Sequence, residues 1–348
     1  MKKFSLFMLL ILSFTAYNQE DSVVKVKIVN EEKGFAFHYN DGLKKLQSKD
    51  YQGALESFNT SIQLKSDENR THFQKGIALY SMGDYPNSGL SISKSIQISP
   101  SSDAYYYQGL LAEKNTKLED AFLSYNESLK LDSTNHLSRY NLGVIYFTRG
   151  EYTEAGATFQ KVIKFKPDFS YAWNDLGSTK LKEKDYKGAI EAYSKAIEIT
   201  PDFTICYNNL GSAYRKIEDY TSAIRAYSKA ISLKSDYFIA LNNRGSAKLE
   251  SDDYTGAIQD FSEAIKHNSN YAAAYNNRAG AKNKLKDYQG GIEDCNQAIK
   301  LDANFGVAYL NRGILKEALL DLKGACLDWK KANEFGVKQA ASYLEYCH

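Results

Sequence analysis

From about residue 35 onward, apolar and small positions recur on one fixed period, with polar residues between them. A glycine is followed twelve residues later by a small residue at Gly42/Ala54, Gly76/Ser88, Gly109/Ala121, Gly143/Ala155, Gly177/Ala189, Gly211/Ala223, Gly245/Ala257, Ala279/Gly291 and Gly313/Ala325. Successive pairs lie 34 residues apart, except for one step of 33 between Gly76 and Gly109. A large aromatic stands four residues after the small residue at Phe58, Tyr125, Phe159, Tyr193, Tyr227, Phe261 and Trp329. Between glycine and small residue, Asp-Tyr recurs, as in Asp185-Tyr186, Asp219-Tyr220 and Asp253-Tyr254. A fixed repeat of this length predicts one supersecondary unit copied along the chain. Each copy reads as helix, short turn, helix, with the glycine and the small residue where the two helices cross. At Ala279/Gly291 the two roles are exchanged, which keeps the volume at the crossing. Pro100, Pro167 and Pro201 close repeats, and Pro86 falls in the first turn of a second helix, where its missing N–H costs nothing.

Spacing and residue types together resemble the tetratricopeptide-repeat family over residues 35–339. The resemblance implies an all-α fold, a right-handed superhelical solenoid of about nine helix-turn-helix repeats. The repeats fall at 35–68, 69–101, 102–135, 136–169, 170–203, 204–237, 238–271, 272–305 and 306–339. The third repeat departs from the pattern with Lys117-Leu118 for Asp-Tyr, the second with Ile92 and the eighth with Cys295 at the aromatic position. The 27 tyrosines are then mostly packing residues. Solenoids need terminal caps. Past Gly336, a natural helix stop, Ala340 and Leu344 have helical spacing, so a capping helix running into 340–348 is expected to fold back on the last repeat.

The chain begins Met-Lys-Lys, continues with an apolar run from Phe4 to Ala16 and exits into polar residues. That is the layout of an export signal, and the run is short of the about 20 residues a spanning helix needs. A cleaved signal over 1–19 and a linker over 20–34 are expected, placing the protein in the periplasm, the cell envelope or the medium. The alternative is an uncleaved N-terminal helix and a membrane-tethered assembly or secretion factor. Removing residues 1–19 takes away Lys2 and Lys3 and leaves 42 basic against 42 acidic residues. Without a clustered basic surplus there is no footprint for phosphates, which argues against nucleic acid.

Catalytic patterns are missing from the sequence: there is no P-loop, no G-x-S-x-G and no H-E-x-x-H. The five histidines show no metal-ligand spacing, and the four cysteines form no C-x-x-C. No enzyme activity, metal or cofactor is expected. The expected partner is a protein or peptide.

The resemblance places the first helix of each pair on the inner face, with the residue two before the glycine pointing inward. That position holds Asn141, Asp175, Asn209, Asn243, Asn277 and Asn311, and the residue before it is Asn174, Asn208, Asn242 and Asn276 in the fifth to eighth repeats. Asn offers donors and an acceptor and is a poor mid-helix residue. An amide ladder of this kind, with Tyr171 beside it, suits the backbone of an extended peptide. The alternative use is to bridge neighbouring helices.

Two pairings follow from covariation along the chain. The residue before the glycine is Leu where the residue fifteen after it is small (Leu176/Ala192, Leu210/Ala226) and Arg where that residue is Asp. Ion pairs Arg244–Asp260, Arg278–Asp294 and Arg312–Asp328 are therefore expected within single repeats. Cys326 lies ten residues before Gly336 and Cys347 eleven after it, at matching heights of an antiparallel hairpin, so a disulfide is expected between them. Cys206 and Cys295 are expected to stay unpaired.

Overall fold

The computed structural model describes residues 34–347; the expected signal, all of the linker but Gly34, and His348 lie outside them. Among the described residues there are nineteen helices and no strand. They divide into two compact units, within 34–179 and 180–347, and the division falls inside one helix, α9 (Ser170–Lys182). No helix among the described residues is long and apolar enough to cross a membrane.

The first unit pairs α1 (Phe35–Gln47) with α2 (Tyr51–Leu64) and α3 (Asn69–Ser81) with α4 (Tyr85–Ile98). It continues with α5 (Ser102–Lys114) on α6 (Leu118–Leu131) and α7 (His136–Thr148) on α8 (Tyr152–Phe165). The second unit runs from α10 (Tyr186–Ile199) through consecutive pairs. These are α11 (Thr204–Lys216) with α12 (Tyr220–Leu233), α13 (Phe238–Glu250) with α14 (Tyr254–His267), and α15 (Ala272–Lys284) with α16 (Tyr288–Leu301). The last pair is α17 (Gly306–Ala318) with α18 (Leu322–Glu334), followed by the short α19 (Ala340–Leu344).

The recurring aspartate is a helix cap. Asp50, Asp84, Asp185, Asp219, Asp253, Asp287 and Asp321 each accept the backbone N–H three residues on, at the start of a second helix. Such a cap contributes roughly 1 kcal/mol. Lys117 and Glu151 occupy this position in the third and fourth repeats and make no side-chain cap. The residue just before the cap has left-handed backbone in every described turn of this type. It is glycine only at Gly83 and Gly150, and Leu320 bears that conformation (φ 65°) while 86 % exposed.

The glycine and the small residue do meet at the crossing, where Ser88 Oγ donates to the Gly76 carbonyl at 2.8 Å, and the glycine has a second neighbour besides. A Cβ on Gly143 would stand 2.6 Å from Phe159 Cε1, and one on Gly245 2.8 Å from Phe261 Cε1. The glycine therefore makes room for the ring sixteen residues on, while the small residue twelve on (Ala155, Ala257) is fully buried beside it. The exchange at Ala279/Gly291 keeps the contact, with a Cβ on Gly291 3.4 Å from the Ala279 carbonyl oxygen, and has a further cause in the ring position. Ala279 is tolerated because Cys295 replaces the ring, and both pack against Leu315. A Cβ on Gly291 would meet the two Leu315 methyls at 3.0 Å, so this glycine admits Leu315.

The C-terminal end is closed as a solenoid requires. Gly336 takes φ 79° and stops α18. Val337 and Phe335 then crowd Gly306, Ala340 is fully buried, and Tyr343 stacks on Trp329 at 4.9 Å between ring centroids. Cys326 and Cys347 are joined in a disulfide with Cα atoms 5.7 Å apart. Cys295 is unpaired and buried. Cys206, also outside any disulfide, directs its Sγ to the Tyr193 carbonyl.

Candidate protein-binding face

In the second unit the first helices lie side by side, α11 against α13, α13 against α15 and α15 against α17. The asparagines fill these seams. Asn243 Nδ2 donates to Asn208 Oδ1 at 2.9 Å, Asn277 Nδ2 to Asn242 Oδ1 at 2.9 Å, and Asn311 Nδ2 to Asn276 Oδ1 at 2.8 Å. Within a helix, the second amide accepts from the first over longer contacts, Asn208 to Asn209 at 3.5 Å and Asn276 to Asn277 at 3.4 Å. All of these side chains are buried.

This corrects the expected ladder. Asn208, Asn209, Asn242, Asn243, Asn276, Asn277 and Asn311 do not present amides to a partner. A carboxamide set between two packed helices must find its partners inside the protein, and here Asn243, Asn277 and Asn311 each donate to the amide one repeat away.

The relay also explains where it ends. Its acceptor position belongs to the residue before the inward one, and in the last repeat that residue is Leu310. Among the described residues no further first helix packs beyond α17, and Leu310 packs with Trp329 and with Ala340 of the cap. Asn311 thereby lacks the neighbouring donor, and its Oδ1 is buried without a hydrogen bond.

The first unit uses the same seam with other chemistry. Tyr140 OH donates to Asp175 Oδ2 at 2.6 Å, and Asn174 Nδ2 donates to Asp175 Oδ1 at 2.9 Å. Burial and the adjacent Asp175 charge push the Tyr140 hydroxyl well above the ordinary phenol range. Asn141 Nδ2 donates to Tyr125 OH at 2.9 Å. Glu113, raised chiefly by burial, accepts from the same hydroxyl. Asn141, Asn174 and Asp175 are thus engaged, and Tyr171 is half-buried beside the Phe169 ring.

One turn before the amides, Ile205, Ile239, Ala273 and Val307 form a half-buried apolar row along the second unit's first helices. Near the other end of those helices, Arg215 grips Glu250 with two bonds of 2.7 and 3.0 Å. Nothing within one repeat signals that pair, because its partners are 35 residues apart.

The structure brings each of the three arginines to the aspartate of its own repeat. Arg244 Nη2 and Nε meet Asp260 at 2.6 and 2.9 Å, and the same two-bond geometry joins Arg278 to Asp294 and Arg312 to Asp328. Sequence reasoning missed two further partners. Lys248, Lys282 and Lys316 add a second cation to each aspartate at 2.8–2.9 Å. The remaining guanidinium nitrogen reaches the preceding repeat, at Ser228, Ser262 and Asn296. Each arginine therefore ties its own hairpin to the one before.

Among the described residues, no group of three His, Cys, Asp or Glu side chains could hold a metal ion.

Comparison with known proteins agrees with this architecture. A tetratricopeptide-repeat model matches residues 108–169 and 243–304, and a second TPR-repeat model matches 179–217 and 211–252. A TPR repeat-containing protein of Methanocaldococcus jannaschii is 30 % identical over 36 % of this chain and 22 % of its own length. Human tetratricopeptide repeat protein 13 is 27 % identical over 36 % of this chain and 14 % of its own length. The chain thus spans less than a quarter of these relatives. Among solved structures, a tetratricopeptide repeat protein from Parabacteroides merdae superposes with TM-score 0.58 at 16 % identity, covering 70 % of this chain and 97 % of its own. A chain of the APC/C hetero-tetramer Cut9–Hcn1 gives 0.58 at 16 % identity over 92 % of this chain and 78 % of its own. The matched repeats take in more than half of the chain, and it belongs to the tetratricopeptide-repeat proteins.

Proposed function

We propose that this chain is a non-catalytic scaffold that holds an extended peptide or protein segment on the first-helix face of its repeats. The observation that carries the reading is the apolar row Ile205, Ile239, Ala273 and Val307, repeated at one register and left partly exposed. The buried amides set the spacing of that row, and the row makes the contact. The apolar run ahead of the repeats supports work outside the cytoplasm, with the partner met in the envelope or beyond it. Tethering by an uncleaved N-terminus is the second form of the same reading, and the mass of the mature protein separates the two.

Site-specific photo-crosslinking in the producing cells tests the binding face. Probes at Ile205 and Ile239 are expected to trap a discrete protein partner, and Ile239→Lys to reduce that capture about tenfold or more, the effect of placing a charge in an apolar contact. Probes at exposed Arg225 and Glu293 on the second helices should trap nothing. Capture from Arg225 and Glu293 with none from Ile205 and Ile239 would overturn the proposal.

A further inference from the structure

The last hairpin turns apolar where the hairpins before it are charged. The turn residue with left-handed backbone is Lys184, Glu218, Asp252 and Lys286 in the four preceding repeats, and Leu320 in the last. Seven residues on, at a position exposed in all five, Glu191, Arg225, Gln259 and Glu293 give way to Leu327. Leu319 and Leu322 flank the turn, and the four leucines are 46–86 % exposed. Left-handed backbone suits glycine, asparagine or aspartate, so a bare leucine at position 320 does nothing for the local fold.

The cap does not reach this surface. In the eighth repeat, Tyr288 and Ile292 of α16 pack against Leu315 of the next first helix. In the last repeat Cys326 stands at the place of Ile292 and is tied to the cap through Cys347. Leu322 stands at the place of Tyr288 and is left exposed. A terminal repeat ordinarily carries a polar outer face, whereas this one is more apolar than the repeats inside the array. The charges at the turn are evenly set. Lys316 is committed to Asp328, and Asp321 to the N–H of Gly324. Glu317 stands three residues before Leu320 and Lys323 three after it, both exposed. Lys323 lies one helical turn before Leu327, on the same side of α18.

We infer that the turn side of the last hairpin, around Leu320 and Leu327, docks on the same surface of a second copy of this chain about a twofold axis. An axis through Leu320 sets Glu317 of one copy against the partner's Lys323, and the reverse, so the surface is complementary to itself. The four leucines together expose about two and a half whole residues per copy, a few hundred Å², the scale of the largest apolar patch on a monomer. Doubled across the axis and ringed by polar groups, the contact falls below about 1,200 Å², at the low end of specific interfaces. The dimer is therefore weak, with a dissociation constant on the order of tens of micromolar. None of its residues belongs to the apolar row of the first helices. One dimer thus presents that row twice, and a partner with two binding segments gains avidity from it.

Analytical ultracentrifugation of the mature chain from the producing cells, with its disulfide intact, tests this over about 5–500 µM, a range that brackets the expected affinity. Monomer is expected at the low end and dimer at the high end, with no larger species, because a twofold contact closes on itself. Leu320→Lys with Leu327→Glu restores the residues of the eighth repeat. It should weaken the dimer about tenfold or more, the effect of placing charges in an apolar contact, while the melting temperature holds or rises. Leu123→Glu, an equally bare leucine of the first unit (58 % exposed), should leave the dimer unchanged. Glu317→Lys and Lys323→Glu should each weaken it, and the two together should restore it, since the axis exchanges them. A chain that stays monomeric throughout would overturn the inference. So would a dimer that survives the two leucine changes, or a double reversal that restores nothing. Binding of the monomer to phosphatidylcholine vesicles that depends on Leu320 and Leu327, with no dimer, would reassign the surface to lipid.

Discussion

At the residue scale, a repeated polar side chain gains meaning from what stands one period away. Asn is a weak helix former, and its recurrence here pays off as hydrogen bonds between repeats. The Arg–Asp–Lys groups follow the same logic with charge. Asp294 is 4 % exposed and meets both Arg278 and Lys282, so losing its partner leaves a nearly buried charge. Arg278→Leu alone is expected to cost about 2–4 kcal/mol, below or within the range for breaking a buried pair because the arginine is partly exposed. The double change Arg278→Leu with Asp294→Ala copies the Leu176/Ala192 pairing of the fifth repeat and should recover at least half of that loss. Urea unfolding of both single variants and the double, as a mutant cycle, measures the coupling. Additive costs would contradict the pairing.

At the element scale, the second helices differ in how they start. Asp253 and Asp287 cap α14 and α16 at 2.9 and 3.0 Å, whereas Lys117 leaves the first turn of α6 uncapped. Its backbone, φ −94° and ψ 72°, is close to that of the capping aspartates. Lys117→Asp is therefore expected to stabilise the first unit by roughly 0.5–1 kcal/mol, through a cap bond to the N–H of Asp120 and a better charge at the helix N-terminus. Chemical denaturation followed by far-ultraviolet circular dichroism reads the gain. A Lys117→Ala control with the same gain would assign it to loss of the lysine rather than to capping.

At the scale of the whole molecule, an array of like repeats must stop without leaving an apolar end. Here the stop combines Leu310, which ends the amide relay, with α19, which covers it. A helix of five residues is far below the length that holds by itself, so its anchorage comes from Tyr343 on Trp329 and from the disulfide. Closing a loop with sequence separation 21 is worth about 3 kcal/mol in the chain-entropy model. Reduction, or Cys347→Ser, is expected to strip hydrogen-exchange protection from residues 337–346 while leaving α11–α16 protected. Full protection of 337–346 after reduction would show that packing alone holds the cap.

Much of this protein was legible in its sequence because a repeat tests the same residue pair many times. The 34-residue period marked the helices, and the Arg/Leu alternation marked which aspartate each arginine meets, since both partners sit within one hairpin. Cys326 and Cys347 were readable for the same reason, being reflected about a single turn at Gly336. What the period could not reveal was direction around the helix axis. Asn208 and Asn243 look identical whether they face a partner or each other, and only the closeness of α11 to α13 decides that they face each other. The glycine's contact with the small residue twelve on was legible, but not that the ring sixteen on is what forbids a Cβ there. Sequence by itself determined which residues recur and which change together; the tertiary structure decided which of them are desolvated, because burial depends on how neighbouring helices close over a side chain.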